Sequence, residues 1–327
     1  MFTEGPRFTV KDGWIYLSLS VGGTQGPAQA HGILVYRSRH AQGPLGTFAV
    51  QSGDAHLLQT RKSGSIRADG ALVEGPDGKW YIIYHGFLRN RYNQARMPLM
   101  EPIEWTEDGW YRIPDWSSPA KPLPIPQGGV AVTHGYPTAI QFPEKNPLPG
   151  EWIYHGTTRQ RSENIAQGLK VKGTGTSFHD CDGAIAYRGL YKDFQVTIHA
   201  TVGNGTGAGI GMFFTQKHSV GFALKDGFVW PYNCGHHNLT RYYNAKSYLW
   251  DEIWMRMTVC HQVVSGWISS DGVHWEKMIN SFNIFHVDCQ GGFFPGDRMV
   301  MHPALFTFGT GEAVYHSFQI EELHPDD

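Results

Sequence analysis

The chain has 327 residues, 41% of them hydrophobic and 17% charged, with 13% aromatic residues, 40 glycines and a formal net charge of −2. This balance excludes a disordered chain, which needs low hydrophobicity and high net charge, and it offers no electrostatic footprint for nucleic acid or an anionic membrane. No apolar run approaches the roughly 18 residues that span a bilayer.

The start, Met1-Phe2-Thr3-Glu4, has neither the basic stretch nor the apolar core of a secretory signal. Beyond it, short aromatic or β-branched runs alternate with Gly, Pro, Asn and Asp turns at roughly the 8–12-residue spacing of sandwiches, barrels and propellers. The expected class is all-β. A turn-and-strand unit recurs as Lys11-Asp12-Gly13-Trp14-Ile15-Tyr16-Leu17, Pro76-Asp77-Gly78-Lys79-Trp80-Tyr81-Ile82 and Glu107-Asp108-Gly109-Trp110-Tyr111-Arg112-Ile113. Asp-Gly supplies the positive φ of a tight hairpin, and the aromatic strand after it packs a sheet face. Such repetition points to propeller blades, although Asp-Gly hairpins occur in any β protein.

The register of the repeat singles out two carboxylates. Glu4 lies eight residues before Asp12, and Asp69 lies eight residues before Asp77. A strand of that length spans about 26 Å, which puts both carboxylates at the end remote from the hairpin, in equivalent positions of successive blades. Radially packed sheets would aim both at one central mouth. Glu74-Gly75-Pro76 abuts its hairpin and belongs to the opposite end, so Glu4 is the better functional candidate. A solvated carboxylate beside a turn would look the same.

Residues 114–150 are rich in proline, which keeps a segment out of central strands and suggests an interdomain connection. The one helix-like stretch is Ser162–Gln167, closed by Gly168. From Glu151 onward, alternating runs such as Phe194–Ala200 and Trp254–Val259 predict a two-sheet sandwich. Gly203-Asn204-Gly205-Thr206-Gly207-Ala208 nearly matches a dinucleotide fingerprint, but a strand-like run follows it where a phosphate needs a helix N-terminus. The four cysteines (Cys181, Cys234, Cys260, Cys289) leave disulfides open. Cys234-Gly235-His236-His237 and His179-Asp180-Cys181 lack the paired spacing of a zinc site, which favours solvated histidines and buried thiols. The sequons at Asn204 and Asn238 matter only if the protein is secreted. No Gly-x-Ser-x-Gly elbow supports a serine nucleophile.

One set of motifs is more specific. Glu4-Gly5-Pro6-Arg7-Phe8 with Asp12-Gly13-Trp14-Ile15-Tyr16-Leu17 and Gly22-Gly23-Thr24 resembles the general-acid blade of the family 43 glycoside hydrolases. Leu72-Val73-Glu74-Gly75-Pro76-Asp77-Gly78-Lys79-Trp80-Tyr81, Tyr84-His85-Gly86, and Arg96 ahead of Pro102-Ile103-Glu104-Trp105 extend the likeness. Trp254-Met255-Arg256-Met257, Ser270-Asp271-Gly272-Val273-His274-Trp275 and Phe306-Thr307-Phe308-Gly309-Thr310-Gly311 resemble the sandwich that follows the propeller in the family's two-domain β-xylosidases. The resemblance implies an all-β chain, with a partial five-bladed β-propeller and its Pro-rich connection over 1–145 and a concanavalin-like β-sandwich over 146–327.

The resemblance also implies roles. Glu4 takes the general-acid place, and a mouth that disfavours its charge would keep it protonated until it donates to the leaving oxygen. Arg96 takes the place of a substrate-contacting arginine, whose planar donors suit vicinal hydroxyls; a salt bridge to a blade carboxylate is the alternative. Phe294, in Phe293-Phe294-Pro295-Gly296, matches a sandwich loop that carries a phenylalanine into the active-site mouth, where a ring can lie against a sugar face. Asp69 stands where the family places a histidine of its hydrated calcium site. An aspartate there could bind a hard cation directly, pair with Arg67, or mark a lost site. No cofactor is otherwise required.

The family's aspartate base and its acid-tuning aspartate lie upstream of the acid, whereas only three residues precede Glu4 here. Inversion needs a second carboxylate about 6.5–9.5 Å from the acid, and nothing in the family puts a base at Asp69. The expectation is the C-terminal part of a longer, inverting enzyme that releases xylose or arabinose. A non-catalytic carbohydrate-binding or structural remnant is the alternative. The expected partners are a pentose-containing oligosaccharide and either a missing N-terminal segment or a homo-oligomer, with no nucleic acid and no membrane.

Overall fold

A computed structural model describes residues 3–22, 31–39, 49–50, 56–59, 67–86, 97–114, 123, 126–128, 139–142, 152–178, 180–188, 193–216, 218–235, 239–242, 244–283 and 301–323. The described residues form strands and turns without a helix, so none of them provides a helix that could cross a membrane. The chain divides into two compact units, Met1–Thr133 and His134–Asp327.

The first unit is built from antiparallel meanders. Strands β1 (Thr3–Lys11), β2 (Trp14–Gly22) and β3 (His31–Ser38) run in order, and both β4 (Ala49–Val50) and β5 (His56–Gln59) pair with β3. A second sheet holds β6 (Arg67–Glu74), β7 (Trp80–Gly86) and β8 (Met97–Pro102), and β9 (Glu104–Trp105) pairs with β10 (Tyr111–Arg112). No described sheet closes on itself.

The recurring Asp-Gly closes two kinds of turn. Asp12 (φ 50°) and Gly13 (φ 75°) are both left-handed, as a two-residue type I′ hairpin demands. In the other two units only the glycines, Gly78 (φ 71°) and Gly109 (φ 79°), are left-handed, and the loops are longer. Thr106 organises the third loop: its Oγ1 donates to Asp108 Oδ1 (2.6 Å) and accepts from the Trp110 N–H (3.0 Å). The aromatic residues after the turns meet in one core with Ile33, Val35, Ile82 and Tyr84. The Trp105 ring stands edge-on to Tyr16 (5.2 Å), Tyr111 (5.4 Å) and Trp80 (5.6 Å), one aromatic from each unit. The Tyr16 hydroxyl donates to the Gly109 carbonyl.

The second unit is a sandwich of two eight-stranded antiparallel sheets. In one, β16 (Phe194–Val202) lies between β22 (Glu252–Cys260) and β26 (Glu312–Glu322). Alternate residues Val196, Ile198 and Ala200, with Met255 and Met257, face the core against Ile210, Met212, Val220 and Phe222 of the other sheet. The predicted alternation of 194–200 and 254–259 is therefore correct. Strand β17 (Thr206–Thr215) is instead buried on both faces along most of its length. Its sheet carries a second core of Phe178, Cys181, Phe213, Tyr232 and Phe306 beneath the 173–184 loop. Residues 203–206 form the turn into β17, so the near-fingerprint opens a strand.

One expectation is overturned. Ser162–Gln167 is not a helix: β13 (Ser162–Ile165) and β14 (Gly168–Lys172) form a hairpin, and β14 pairs with β26. Six residues give too few hydrogen bonds to overcome helix nucleation, whereas a neighbouring sheet edge satisfies the backbone at once. Gly168 (φ 153°) does not cap a helix but lets the hairpin pass β26, since a Cβ there would lie 2.2 Å from the Tyr315 carbonyl oxygen. Within the proline-rich stretch, β11 (Ala139–Gln141) also pairs with β26 and so belongs to the second unit.

Candidate active site

Glu4 sits in β1, paired in register with Ser20 of β2, and its side chain is exposed. The next pair is Arg7 with Ser18, so three steps along β1 match two along β2. Gly5 and Pro6 occupy this bulge. Gly5 takes φ 62°, which costs glycine little. Pro6 has no N–H to donate, which an edge strand tolerates, and β1 is the edge of its described sheet. Bulges bend a strand and re-aim side chains. The Gly5-Pro6 dipeptide after Glu4 thus has a mechanical role: it bends the strand end that carries the carboxylate.

Asp69 lies in β6 at a corresponding bulge, between the pairs Ala68–His85 and Ala71–Ile83. Both residues are at the end remote from their hairpins, as the spacing predicts. They are not equivalent, however. Counted from the bulge, Ala68 corresponds to Glu4 and Asp69 is one residue further on. The equal spacing to Asp-Gly arises because Asp77 stands third in a five-residue loop where Asp12 stands first in a two-residue one, while the strand between bulge and turn is one residue shorter in β6. One residue decides the face of a strand. At this point Gly70 approaches the core closely: a Cβ there would lie 2.6 Å from Ile33 Cδ1 and 2.7 Å from Ile82 Cδ1.

The second Glu-Gly-Pro has a different task. Glu74 pairs with Trp80 beside the turn, where the Gly75 N–H donates to the Lys79 carbonyl (2.7 Å). It is at the opposite strand end, as expected. Arg96 and Phe294 lie outside the described residues, as do Cys289, His236, His237 and the side chain of Asp69. Cys181 and Cys234 are buried and Cys260 is exposed; burial pushes the Cys181 thiol up to about 12.

Sequence reasoning missed one acid of the first unit. Glu101 is fully buried and accepts a 2.6 Å hydrogen bond from the Tyr84 hydroxyl. The signal was in the alternation of Met97–Pro102, where Glu101 shares a face with Leu99, which packs on the core. The other described carboxylates of this unit, Asp12, Glu74, Asp77, Glu104, Glu107 and Asp108, lie in or beside hairpin turns. Hydrogen bonding from Thr106 holds the Asp108 carboxyl below its ordinary range.

With this geometry in place, relatives are informative. The profile of glycosyl hydrolases family 43 matches residues 1–111, a span that contains Glu4, Asp69 and Arg96 but not Phe294. Over residues 1–111 the chain is similar to glycosyl hydrolases family 43. Over 80 residues it is 34% identical to a xylan 1,3-beta-xylosidase of Vibrio sp, a stretch amounting to 24% of this chain and 14% of that protein. Two crystal structures extend the likeness to both units. The family 43 protein BlXynB of Bacillus licheniformis matches with a TM-score of 0.76 at 18% identity, over 98% of this chain and 65% of that one. A xylan beta-1,4-xylosidase of Bacillus halodurans C-125 matches with a TM-score of 0.75 at 18% identity, over the same 98% and 65%. At such identity the likeness concerns the fold, which is the propeller-plus-sandwich arrangement of this family. The chain spans 65% of the length of both structures.

Proposed function

We propose that this chain is the acid-bearing part of an inverting glycoside hydrolase that removes xylose or arabinose from xylan- or arabinan-type oligosaccharides. The observation that carries this reading is the family match over residues 1–111 together with the bulge that presents Glu4. Glu4 would donate its proton to the leaving glycosidic oxygen, and a water activated by a second carboxylate would attack from the opposite face of the sugar. Among the described carboxylates of the first unit, those other than Glu4 are beside turns or, for Glu101, engaged with Tyr84. As the resemblance implies, the base is proposed to come from sequence outside these 327 residues, and the first unit to be part of a five-bladed propeller. Arg96 is proposed to hold substrate hydroxyls and Phe294 to line the sugar site. Asp69 would offer a hard oxygen ligand to calcium. A chelator should then lower the activity of the wild type, and the Asp69→Asn variant should not respond when calcium is restored.

The test compares this chain, and the protein extended by its genomic upstream segment, on aryl β-xyloside and aryl α-arabinofuranoside. The extended protein should turn over one of the two, the first-formed sugar should have the inverted anomeric configuration by NMR, and Glu4→Gln should abolish release from poor leaving groups. Inactivity of the extended protein on both substrates, with no effect of Glu4→Gln on any pentoside, would remove the assignment. Binding of xylo-oligosaccharide without turnover by the extended protein would replace it with a carbohydrate-binding role.

A further inference from the structure

The second unit carries a group of side chains that the glycosidase reading leaves unused. His199 on β16, Glu252 at the start of β22 and His316 on β26 come from three neighbouring strands of one sheet, on the face turned away from the sandwich core. Their ligand atoms all lie within 4.8 Å of one another. His316 is there because of a bulge. The pairs His199–Ser317 and Ala200–Tyr315 leave His316 unpaired in the ladder as the extra residue of β26. Such a residue is re-aimed by the local bend, and His316 Nε2 lies 2.8 Å from the hydroxyl of Thr201, a residue that pairs with Glu252 across the strands.

The hydrogen bonds set the state of each ring. His316 Nδ1 lies 2.6 Å from the Gln167 carbonyl, which can only accept, so Nδ1 carries a proton and, of the two neutral tautomers, the ring adopts the one with its lone pair on Nε2. A backbone carbonyl on the far nitrogen is the usual way a metal-binding imidazole is oriented. His199 is held flat against the indole of Trp254, with ring centroids 3.8 Å apart and planes 5° apart, and its Nε2 lies 2.7 Å from Glu252 Oε1. Burial disfavours the charged form of His199; its hydrogen bond to the Glu252 carboxylate opposes that and the neighbouring His316 adds to it, for a net lowering.

We propose that His199 Nε2, His316 Nε2 and the Glu252 carboxylate form a binding site for a divalent cation of the zinc type. Two imidazoles and one carboxylate make a borderline donor set suited to zinc, cobalt or nickel, and poorly suited to calcium or magnesium, which want six or more oxygens. Binding moves the His199 Nε2 proton to Nδ1 or to solvent, replaces the His199–Glu252 and His316–Thr201 hydrogen bonds with bonds to the ion, and leaves at least one coordination position to water. Because the ligands span β22, β16 and β26, the ion would tie three strands together and fix the bulge. This site is independent of the glycosidase reading.

The experiment uses the whole chain after treatment with a chelator and dialysis. Titration with Zn2+ should show one saturable site per chain, and Co2+ should give a visible ligand-field band that Zn2+ displaces. Glu252→Gln, at an exposed position, and His316→Gln should each weaken this site at least about tenfold, by comparison with the 10–100-fold lost when even an outer partner of a ligand is changed. Both should keep the wild-type far-UV spectrum and melting temperature in chelator. Zn2+ should raise the melting temperature of the wild type and not of the variants. Absence of a saturable Zn2+ or Co2+ site in the wild type, equal affinity in both variants, or preference for Ca2+ over Zn2+ would each overturn the assignment.

Discussion

The bulge at Gly5 offers the sharpest probe of how the first strand presents Glu4. In Gly5→Ala the side chain must adopt φ near 62° or the strand must change. Holding an L-residue in the left-handed region costs about 1–2 kcal/mol, and the following Pro6 narrows the choices further. If the bulge persists, that cost appears directly as lost stability. If it is expelled, the register between Glu4 and Arg7 slips by one residue. Glu4 then moves about 3.3 Å along the strand and to its other face. A misplacement of even 1 Å can cost about a hundredfold in rate, so kcat/KM of the upstream-extended protein on an aryl pentoside should fall by that factor or more. The chain's urea midpoint should fall together with it, and this second readout holds whatever Glu4 does. Asparagine tolerates the left-handed region, so Gly5→Asn should recover part of both losses. Wild-type stability and activity in Gly5→Ala, or equal damage from alanine and asparagine, would refute the role assigned to the bulge.

Three further outcomes follow from the described residues. Asp180 accepts hydrogen bonds from the Thr176 N–H (3.0 Å) and Ser177 N–H (2.7 Å) and from both hydroxyls; burial works against its charge, but these bonds hold its carboxyl down at about 2. A depressed pKa stabilises above the unfolded value of about 3.9 and ceases to do so as pH falls through the folded one. Asp180→Ala should therefore be less stable than wild type at pH 7, with the gap shrinking between pH 4 and pH 2; a gap independent of pH, measured by urea denaturation, would count against it. Gly168→Ala sets a Cβ 2.2 Å from the Tyr315 carbonyl oxygen at φ 153°, which should cost about 2–4 kcal/mol and lower the melting temperature of the sandwich. Tyr84→Phe removes the 2.6 Å donor to the buried Glu101 and should cost about 1–3 kcal/mol in denaturant unfolding; an unchanged midpoint would show that Glu101 does not depend on it.

What could be anticipated from sequence follows the range of the interaction concerned. Asp12-Gly13 dictates its own left-handed turn, and the alternation in Phe194–Val202 and Glu252–Cys260 announces which residues go inside, because both depend on neighbours a few positions away. Ser162–Gln167 failed for the same reason in reverse: its helical pattern was local, while the competing partner, β26, lies about 150 residues further along. The offset between Glu4 and Asp69 was hidden because the two-residue loop after Lys11 and the five-residue loop after Glu74 both contain Asp-Gly, so equal counting concealed unequal turns. The His199, Glu252 and His316 group depends on two facts no local pattern contains. β16 must settle between β22 and β26, and β26 must insert one residue at its bulge. A strict alternation counted back from Ile320 and Phe318 would have put His316 on the core side and Tyr315 outside, yet Tyr315 and Phe318 are both fully buried although three apart. That odd spacing is the trace the bulge leaves in the sequence: two core aromatics separated by three residues where a regular strand allows two or four.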